Sequence, residues 1–429
     1  MSVKDDARKA IRLVRGALRS RAAIAEAERL ERQRGPLDAG RYQVAVYFAD
    51  GPVNLYQLRQ WYAPLVELAE RWPVVVIARA ARGARALFGE CPLPVVYARS
   101  IDDVESLLAQ QSIRVVLYVN QNTRNFQMFR YGHRWHVFIS HGESDKVYMR
   151  SNQISAYDYA FVAGDAALAR LRGALWDYEV DRRALPIGRP QVDHYGVATA
   201  PLPDDGRMSV FYAPTWEGDR ASMSYGSIIS HGEALAAAVL ADPNARLIYR
   251  PHPRSGVFDP EYGRANARII AAIAAANAAD PDAGHIFDQS ADLNWQFVAP
   301  DVAVMDVSAM VYDRLAVGKA LFVTRPVHPA AVVEESGYLA ECEWLTPEQA
   351  GDVATLRGLV GDPQATARLA HWSHHYFGET ADRSSTRRFH AAVEHLMVEW
   401  DRWQVKLGGD REVEHDDDED SVADELGEI

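Results

Sequence analysis

The stretch VAVMDVSAMVYD, residues 302–313, combines the two features on which the predicted fold rests. Its first four residues form the apolar run expected of a strand that is buried on both faces. Asp306 ends that run, and Ser308 would stand at the N-terminus of a following helix, where unpaired backbone N–H groups and the helix dipole favour an anion. The junction predicts a phosphate site, and the simpler alternative is that Asp306 or Ser308 only caps the helix.

Buried strands of the same kind recur along the chain and alternate with segments of helical spacing, such as 55–68 and 166–175. Strand-like runs lie at 44–48, 74–77, 95–97, 115–119, 137–139 and 159–163, and again at 210–212, 247–249, 302–305 and 321–323. This alternation is typical of a parallel sheet covered by helices on both faces. Between the two groups lies ATAPLPDDG, residues 198–206, which has the composition of a linker. We therefore predict an α/β protein with two doubly wound, Rossmann-type domains and a cleft between them.

The predicted boundaries divide the chain into six parts. They are a basic amphipathic helix at 1–40, a first, acceptor domain at 41–197, a linker at 198–207, a second, nucleotide-donor domain at 208–380, a helix at 381–407 that packs back across the domains, and an acidic disordered tail at 408–429. Eleven acidic residues and one arginine lie from Asp410 onward, and such a segment cannot bury enough apolar surface to order itself.

Composition excludes several classes of protein. The chain has 429 residues and a net charge of −13, but without the tail the remainder is nearly balanced, which argues against nucleic-acid binding. The two cysteines are too few for a disulfide framework and indicate a reducing cytosol. No signal peptide or run of spanning length is apparent, so a cytoplasmic protein is expected. His371 and His375 lack further metal ligands, and we expect neither a metal nor another cofactor. No Gly-rich phosphate loop occurs, which argues against a P-loop ATPase or kinase.

The N-terminal segment permits two interpretations. Residues 1–40 contain ten Lys or Arg against six Asp or Glu, and Ile11, Val14, Leu18 and Ala22 fall on one side of a helix. The helix could lie peripherally on the anionic inner face of the cell membrane. It could equally be a coiled-coil or packing helix, because its apolar face is thin and rich in alanine.

Polar residues just after four of the predicted strands mark the candidate site, because ligands of doubly wound sheets bind at the carboxyl ends of the strands. These residues are His141, Gly142 and Glu143; Thr215 and Trp216; Arg250 and His252; and Asp306 with Ser308. Each group alone is weak evidence. Together, two histidines from different domains, an arginine and a helix N-terminus suit a phosphorylated ligand between the domains.

Five motifs in this order resemble those of the CDP-glycerol glycerophosphotransferase family, the bacterial enzymes of teichoic-acid-type polymers, which have a GT-B fold. The motifs are His141-Gly142, LPIGRPQVD at 185–193, YAPTW at 212–216, RPHP at 250–253, and DVSA at 306–309 with Asp313. Phe377-Gly378 followed by Asp382, Ser384, Ser385 and Arg388 is similar to the closing segment of that family.

The resemblance implies a reaction and a role for each residue. An acceptor hydroxyl on a growing cell-surface or capsular polymer, or on a lipid-linked acceptor, would attack the β-phosphorus of CDP-glycerol and release CMP. His141 would be the base, since an imidazole with a pKa near ~6.5 is largely unprotonated at cytosolic pH. The diphosphate would be bound by His252 and Ser308, and Arg250 would either add positive charge or orient His252. Asp306 and Asp313 would fix the loop or bind hydroxyls, and Thr215 and Trp216 would lie at the rim, with core packing an equal alternative for Trp216.

Two positions depart from the family pattern. Glu143 stands where a small residue such as Thr is usual and adds a negative charge near an anionic donor, and Ala309 replaces the second residue of a serine pair. These departures leave two alternatives open. One is a GT-B glycosyltransferase that moves a hexose from a nucleotide sugar, and the other is a non-catalytic binding or scaffold protein.

Overall fold

The computed structural model describes residues 3–143, 147–196, 200–290, 293–333 and 336–407, and of residues 3–17 and 147–148 it describes the backbone alone. The predicted acidic tail therefore lies outside the described residues. Within them, the chain folds into two parallel sheets with helices on both faces, so the predicted pair of doubly wound domains is confirmed.

The first domain contains a seven-stranded parallel sheet in the order β3-β2-β1-β4-β5-β6-β7. Its strands are β1 Val44–Phe48, β2 Val74–Ala78, β3 Val95–Tyr97, β4 Val115–Tyr118, β5 Trp135–Phe138, β6 Tyr159–Val162 and β7 Ala184–Pro186. The helices are α1 Val3–Arg34, α2 Leu55–Arg59, α3 Tyr62–Ala69, α4 Ala81–Glu90, α5 Ile101–Gln110, α6 Asp165–Ala174 and α7 Val180–Arg183. Strands β1 to β6 match the predicted runs to within about two residues, whereas β7 was not predicted.

The second domain contains a six-stranded parallel sheet in the order β10-β9-β8-β11-β12-β13. Its strands are β8 Met208–Ala213, β9 Ala245–Tyr249, β10 Ile286–Phe287, β11 Val302–Met305, β12 Leu321–Thr324 and β13 Glu343–Leu345. The helices are α8 Glu233–Ala241, α9 Pro260–Ala279, α10 Trp295–Val298, α11 Ala309–Val317, α12 Tyr338–Glu341, α13 Pro347–Ala350, α14 Val353–Leu359, α15 Pro363–Phe377 and α16 Ser384–Leu407. The two edge strands β10 and β13 were not predicted.

Each sheet has one position where the strand order reverses. In the first sheet it lies between β1 and β4, and in the second between β8 and β11. The connections that leave the two strands at such a position run to opposite faces of the sheet, so a crevice opens at their carboxyl ends. Asp50 and Asn120 stand at this point in the first domain, and Thr215 and Ser308 in the second.

Helix α16 returns to the first domain after the chain has completed the second sheet. Its side chains Phe389, Val393 and Leu396 are buried in the same hydrophobic core as Val46 and Leu117. The prediction that a C-terminal helix packs back is therefore confirmed, although the helix begins at Ser384 and not at residue 381.

The second half of α1 is a packing helix. Ala23 and Ala27 are buried against α4, while Leu18 is 61% exposed and Ala22 is exposed as well, so the face that packs differs from the predicted one. The side chains of Ile11 and Val14 lie outside the described part, and contact of residues 1–40 with a membrane stays a prediction. Across the described residues, none of the helices has both the length and the apolar composition needed to cross a membrane.

Candidate functional site

A cleft of about 540 Å³ lies between the two domains. The loops that follow β1, β4 and β5 form one wall, Arg189 lies in the cleft, and Ala309 and Asp313 of α11 form the other wall. His141 and the N-terminal turns of α11 thus border the same space. Among the described residues, no group of three or more His, Cys, Asp or Glu side chains could hold a metal ion.

The orientation of His141 defines its tautomer. The residue follows β5 through Ser140, whose φ of 54° turns the chain sharply, and the Trp61 indole donates a hydrogen bond of 2.6 Å to the Ser140 carbonyl. The His141 Nδ1 atom lies 3.2 Å from the Val119 carbonyl oxygen. Because a carbonyl can only accept, the proton is on Nδ1 and the lone pair of the neutral ring is on Nε2. A lone pair on Nε2 is what a general base requires.

Arg189 joins the two walls of the cleft. Its guanidinium pairs with the Asp313 carboxylate at 2.7 Å, donates to the His141 carbonyl at 3.1 Å and donates to the Gln60 side chain at 2.8 Å. The Arg189 and Asp313 side chains are 6% and 14% exposed, so this ion pair is largely shielded from water. Asp313 therefore borders the cleft while its carboxylate is engaged by Arg189.

The closing segment, residues 377–388, holds the backbone of Arg189 in place. The Arg189 backbone N–H donates to the Ser385 hydroxyl at 3.1 Å, and Arg388 donates to the Phe377 carbonyl at 2.7 Å. Ser384 donates its hydroxyl proton to the Glu379 carbonyl at 2.5 Å. Within the described part of the chain, Ser384, Ser385 and Arg388 do not line the cleft. Their hydrogen bonds hold the closing segment together and fix the Arg189 backbone.

Asp306 is fully buried and fixes two loops of the second domain. Its carboxylate accepts hydrogen bonds from the backbone N–H groups of Thr215 at 2.7 Å and Ser227 at 3.1 Å, and from the Thr324 hydroxyl at 2.6 Å. Burial raises the pKa of Asp306 to about 6, although these hydrogen bonds oppose the rise. Thr215 in turn accepts a bond at its carbonyl from the Tyr262 hydroxyl. Asp306 is thus placed to fix the loop, one of the two roles considered for it.

Ser308 precedes α11 but does not cap it. Its backbone is extended at the N-cap position, and its side chain makes no capping hydrogen bond. The Ser308 hydroxyl is buried and has no hydrogen-bond partner among the described residues. Since the Asp306 carboxylate is directed to other N–H groups, the simple capping interpretation accounts for neither residue.

His252 and Arg250 lie at the same edge of the second sheet, after β9. The backbone N–H of Arg254 donates to His252 Nδ1 at 3.1 Å, so the neutral ring carries its proton on Nε2. Arg250 pairs with Asp288 at 2.7 Å. Among the described residues, the lining of the interdomain cleft includes neither His252 nor Arg250.

Trp216 follows β8 and faces the same edge. Its ring centroid lies 6.4 Å from that of His252 and 5.6 Å from that of Phe258, and the Arg254 guanidinium lies 3.9 Å from the Trp216 centroid. Phe258 is 56% exposed and Trp216 is half-buried, so this stack lies at the rim of the domain and not in its core.

Glu143 does not carry its charge into the cleft. Its side chain is 4% exposed and pairs with Arg170 of α6, whose side chain is 9% exposed. Both residues border a small, mainly apolar pocket that adjoins the cleft, and Gly142 lines both the pocket and the cleft. The negative charge expected to disfavour an anionic donor is therefore balanced by a buried guanidinium.

Sequence analysis missed the part of the first-domain wall that follows β1 and β4. Asp50 accepts hydrogen bonds from the side chains of Asn54 at 2.9 Å and Asn120 at 2.7 Å, and Asn120 also donates to Gln57 at 2.8 Å. The signal was present, because Asp50 follows β1 and Asn120 follows β4. The polar residues predicted to form the site, however, follow four other strands.

No protein-family model and no curated protein matches the chain. Solved structures do. The alignment with a structure of the wall teichoic acid polymerase TagF soaked with CDPG covers 93% of this chain and 99% of the TagF chain, with a TM-score of 0.54 and 12% identity. A crystal structure of UDP-N-acetylglucosamine 2-epimerase aligns with 85% of this chain and 97% of its own, with a TM-score of 0.54 and 14% identity. Identities this low establish the fold alone, and the expected GT-B-like, two-domain architecture is confirmed.

Proposed function

We propose that the protein is a phosphotransferase that moves a polyol phosphate from a CDP-polyol, CDP-glycerol foremost, to a hydroxyl of a growing cell-surface or capsular polymer on the cytoplasmic side of the membrane. The observation that carries the proposal is the position of His141, which borders the same cleft as the N-terminal turns of α11. A base and an anion-binding helix N-terminus on either side of one space suit the transfer of a phosphoryl group.

The reaction needs one base and several donors to the diphosphate. His141 Nε2 takes the proton from the acceptor hydroxyl, whose oxygen forms a bond to the β-phosphorus of the donor. The bond between that phosphorus and the bridging oxygen breaks, and CMP leaves with the electron pair. The hydrogen bond from Nδ1 to the Val119 carbonyl holds the ring in the required tautomer and also stabilises the imidazolium that forms.

The second domain supplies the groups that meet the charge of the diphosphate. The buried Ser308 hydroxyl and the first backbone N–H groups of α11 are hydrogen-bond donors available to phosphate oxygens. His252 Nε2–H is a further donor at the same edge of the sheet, in the tautomer complementary to that of His141. Ala309 lines the cleft at the first helical position, so the residue that replaces the usual second serine borders the donor's space.

The test is to incubate the purified protein and a lipid-linked polymer acceptor with CDP-glycerol, other CDP-polyols or UDP-sugars in turn and to identify the nucleotide released. CMP with transfer of the donor's labelled phosphate is expected. His141→Asn should lower the rate by roughly 10²- to 10⁴-fold, the contribution typical of a general base. Ser308→Ala should raise the KM for the donor several-fold, because one hydrogen bond to a charged group is lost.

The matched control is His371→Asn, a change of an exposed histidine on α15 that should leave the rate unaltered. Release of UDP without transfer of phosphate would assign the chain to the glycosyltransferases instead. A protein that turns over none of the donors would support the scaffold alternative, and an unchanged rate in His141→Asn would remove His141 from the mechanism.

A further inference from the structure

The first-domain wall of the cleft consists largely of side-chain amides. Six carboxamide residues line it, and we refer to them as the amide wall: Asn54, Gln57, Gln60, Asn120, Gln121 and Asn122. Asp50 lies among them, at the reversal point of the first sheet where a ligand crevice is expected. The proposed chemistry of phosphate transfer uses none of these residues.

The chemistry of the amide wall suits hydroxyl groups better than phosphates. A carboxamide and a hydroxyl are both uncharged, and each can donate and accept hydrogen bonds. A phosphate, in contrast, only accepts hydrogen bonds and is recognised by cations. Among the described residues that line the cleft, Arg189 is the one Lys or Arg, and its guanidinium is engaged by Asp313, Gln60 and the His141 carbonyl. The described part of the lining thus contains two acidic side chains, Asp50 and Asp313, against one cationic side chain.

Asp50 is held in a fixed orientation with acceptor capacity remaining. Its Oδ1 accepts from Asn54 at 2.9 Å and its Oδ2 from Asn120 at 2.7 Å. Asn120 gives its second amide proton to Gln57 at 2.8 Å, and its backbone carbonyl accepts from the buried Asn125 at 2.8 Å. A carboxylate offers about four lone-pair positions, so each Asp50 oxygen can accept a further hydrogen bond, for example from two neighbouring hydroxyls.

Tyr56 adds an apolar surface beside the base. Its side chain is 48% exposed, and its ring meets the His141 ring edge-on at 5.9 Å with an interplanar angle of 89°. An exposed aromatic ring presents an apolar face on which the C–H groups of a sugar or polyol can pack. A ligand seated between Tyr56 and Asp50 would therefore lie next to the imidazole that accepts the hydroxyl proton.

We infer that the amide wall and Asp50 bind the acceptor of the reaction, and that the acceptor end they recognise is a neutral, hydroxyl-rich glycan or polyol and not a polyanionic phosphate chain. This inference rests on the proposed function, because it assigns the second substrate of that reaction. The second domain binds the charged diphosphate of the donor, and the first domain binds the hydroxyls of the acceptor.

The experiment measures acceptor binding without any donor. Ligand-observed NMR is recorded for the purified full chain with methyl glycosides of common hexoses, with ribitol, and with a glycerol phosphate oligomer. A neutral probe should bind with an affinity that is nearly independent of salt, since no charge pairing contributes. Asp50→Asn should weaken its binding by roughly ten- to a hundredfold, as expected for lost hydrogen bonds to a charged group. Asp102→Asn, which makes the same change at an exposed position of α5, should leave binding unaltered.

The possible outcomes separate this inference from the proposed function. Tighter binding of the phosphate oligomer, weakened by salt and strengthened by Asp50→Asn, would overturn the neutral acceptor, because removal of a negative charge favours an anion. Failure of every neutral probe to bind would also overturn it, even if CDP-glycerol is turned over. Binding of a glycoside or of ribitol that depends on Asp50, in a protein that turns over no CDP-polyol, would retain the neutral site and refute the phosphotransferase.

Discussion

The ion pair between Arg189 and Asp313 gives the most direct test of how the two domains are held together. Arg189→Met keeps the length of the side chain but removes the guanidinium, which leaves the Asp313 carboxylate, 14% exposed, without its cation. Breaking one partner of a buried pair costs about 3–5 kcal/mol. The Gln60 side chain and the His141 carbonyl also lose a donor, so the free energy of unfolding should fall by at least the lower value.

The free energy of unfolding is measured by urea titration, with circular dichroism as the signal. Because burial raises the pKa of Asp313 and Arg189 opposes that rise, the penalty in Arg189→Met should shrink as the pH is lowered and the carboxyl takes up a proton. Asp313→Asn in the Arg189→Met background should recover part of the loss, since no buried charge remains. Arg268→Met is the control, because Arg268 is 51% exposed in its ion pairs and should cost less than about 1 kcal/mol. A loss below about 1 kcal/mol for Arg189→Met, or no recovery in the double variant, would refute the argument.

Three further predictions concern other buried contacts. The pKa of Asp306 is about 6 in the fold against 3.8 ordinarily, so the stability contributed by proton binding to its carboxyl is present below about pH 4 and lost as the pH rises through 6. The loss of stability caused by Asp306→Asn should accordingly shrink by about 2 kcal/mol between pH 4 and 7 in urea titrations. Gly188→Ala should lower the melting temperature more than Gly35→Ala, because both have positive φ but only at Gly188 would the new Cβ come 2.2 Å from a guanidinium nitrogen of the closing segment. Arg170→Met should cost about 3–5 kcal/mol in urea unfolding, because Glu143 would stay buried without its cation, and a loss below about 1 kcal/mol would contradict this.

Much of the fold was predictable because its central strands are continuous apolar runs. Val44–Phe48 and Val302–Met305 contain no charged residue, and both were placed with their observed bounds. The missed strands lie at sheet edges, where pairing on one side permits short and mixed sequences. Ile286–Phe287 has two residues, and Glu343–Leu345 begins with a glutamate. Such segments become strands through the neighbour that pairs with them and not through their own pattern.

The candidate site was predictable at the level of loops but not of contacts. The rule that ligands bind after strands located His141, which borders the cleft, and the turn before α11, which leads directly to Ala309 in the cleft lining. The rule does not give the direction of a side chain, and Asp306 faces the core while Glu143 faces Arg170. Arg189 lay within a motif, yet its partner Asp313 is 124 residues away, a pairing that only the folded chain defines.

The return of α16 to the first domain has a consequence for the order in which the protein folds. Five buried side chains of the first domain's core, Phe389, Ala392, Val393, Leu396 and Met397, are encoded after the whole second domain. On the ribosome, the first domain emerges with that part of its core uncovered and stays so until the second domain has been synthesised. The two domains are therefore expected to mature together rather than one after the other, and a nascent chain stopped before Ser384 should be recognised by chaperones that bind exposed apolar surface.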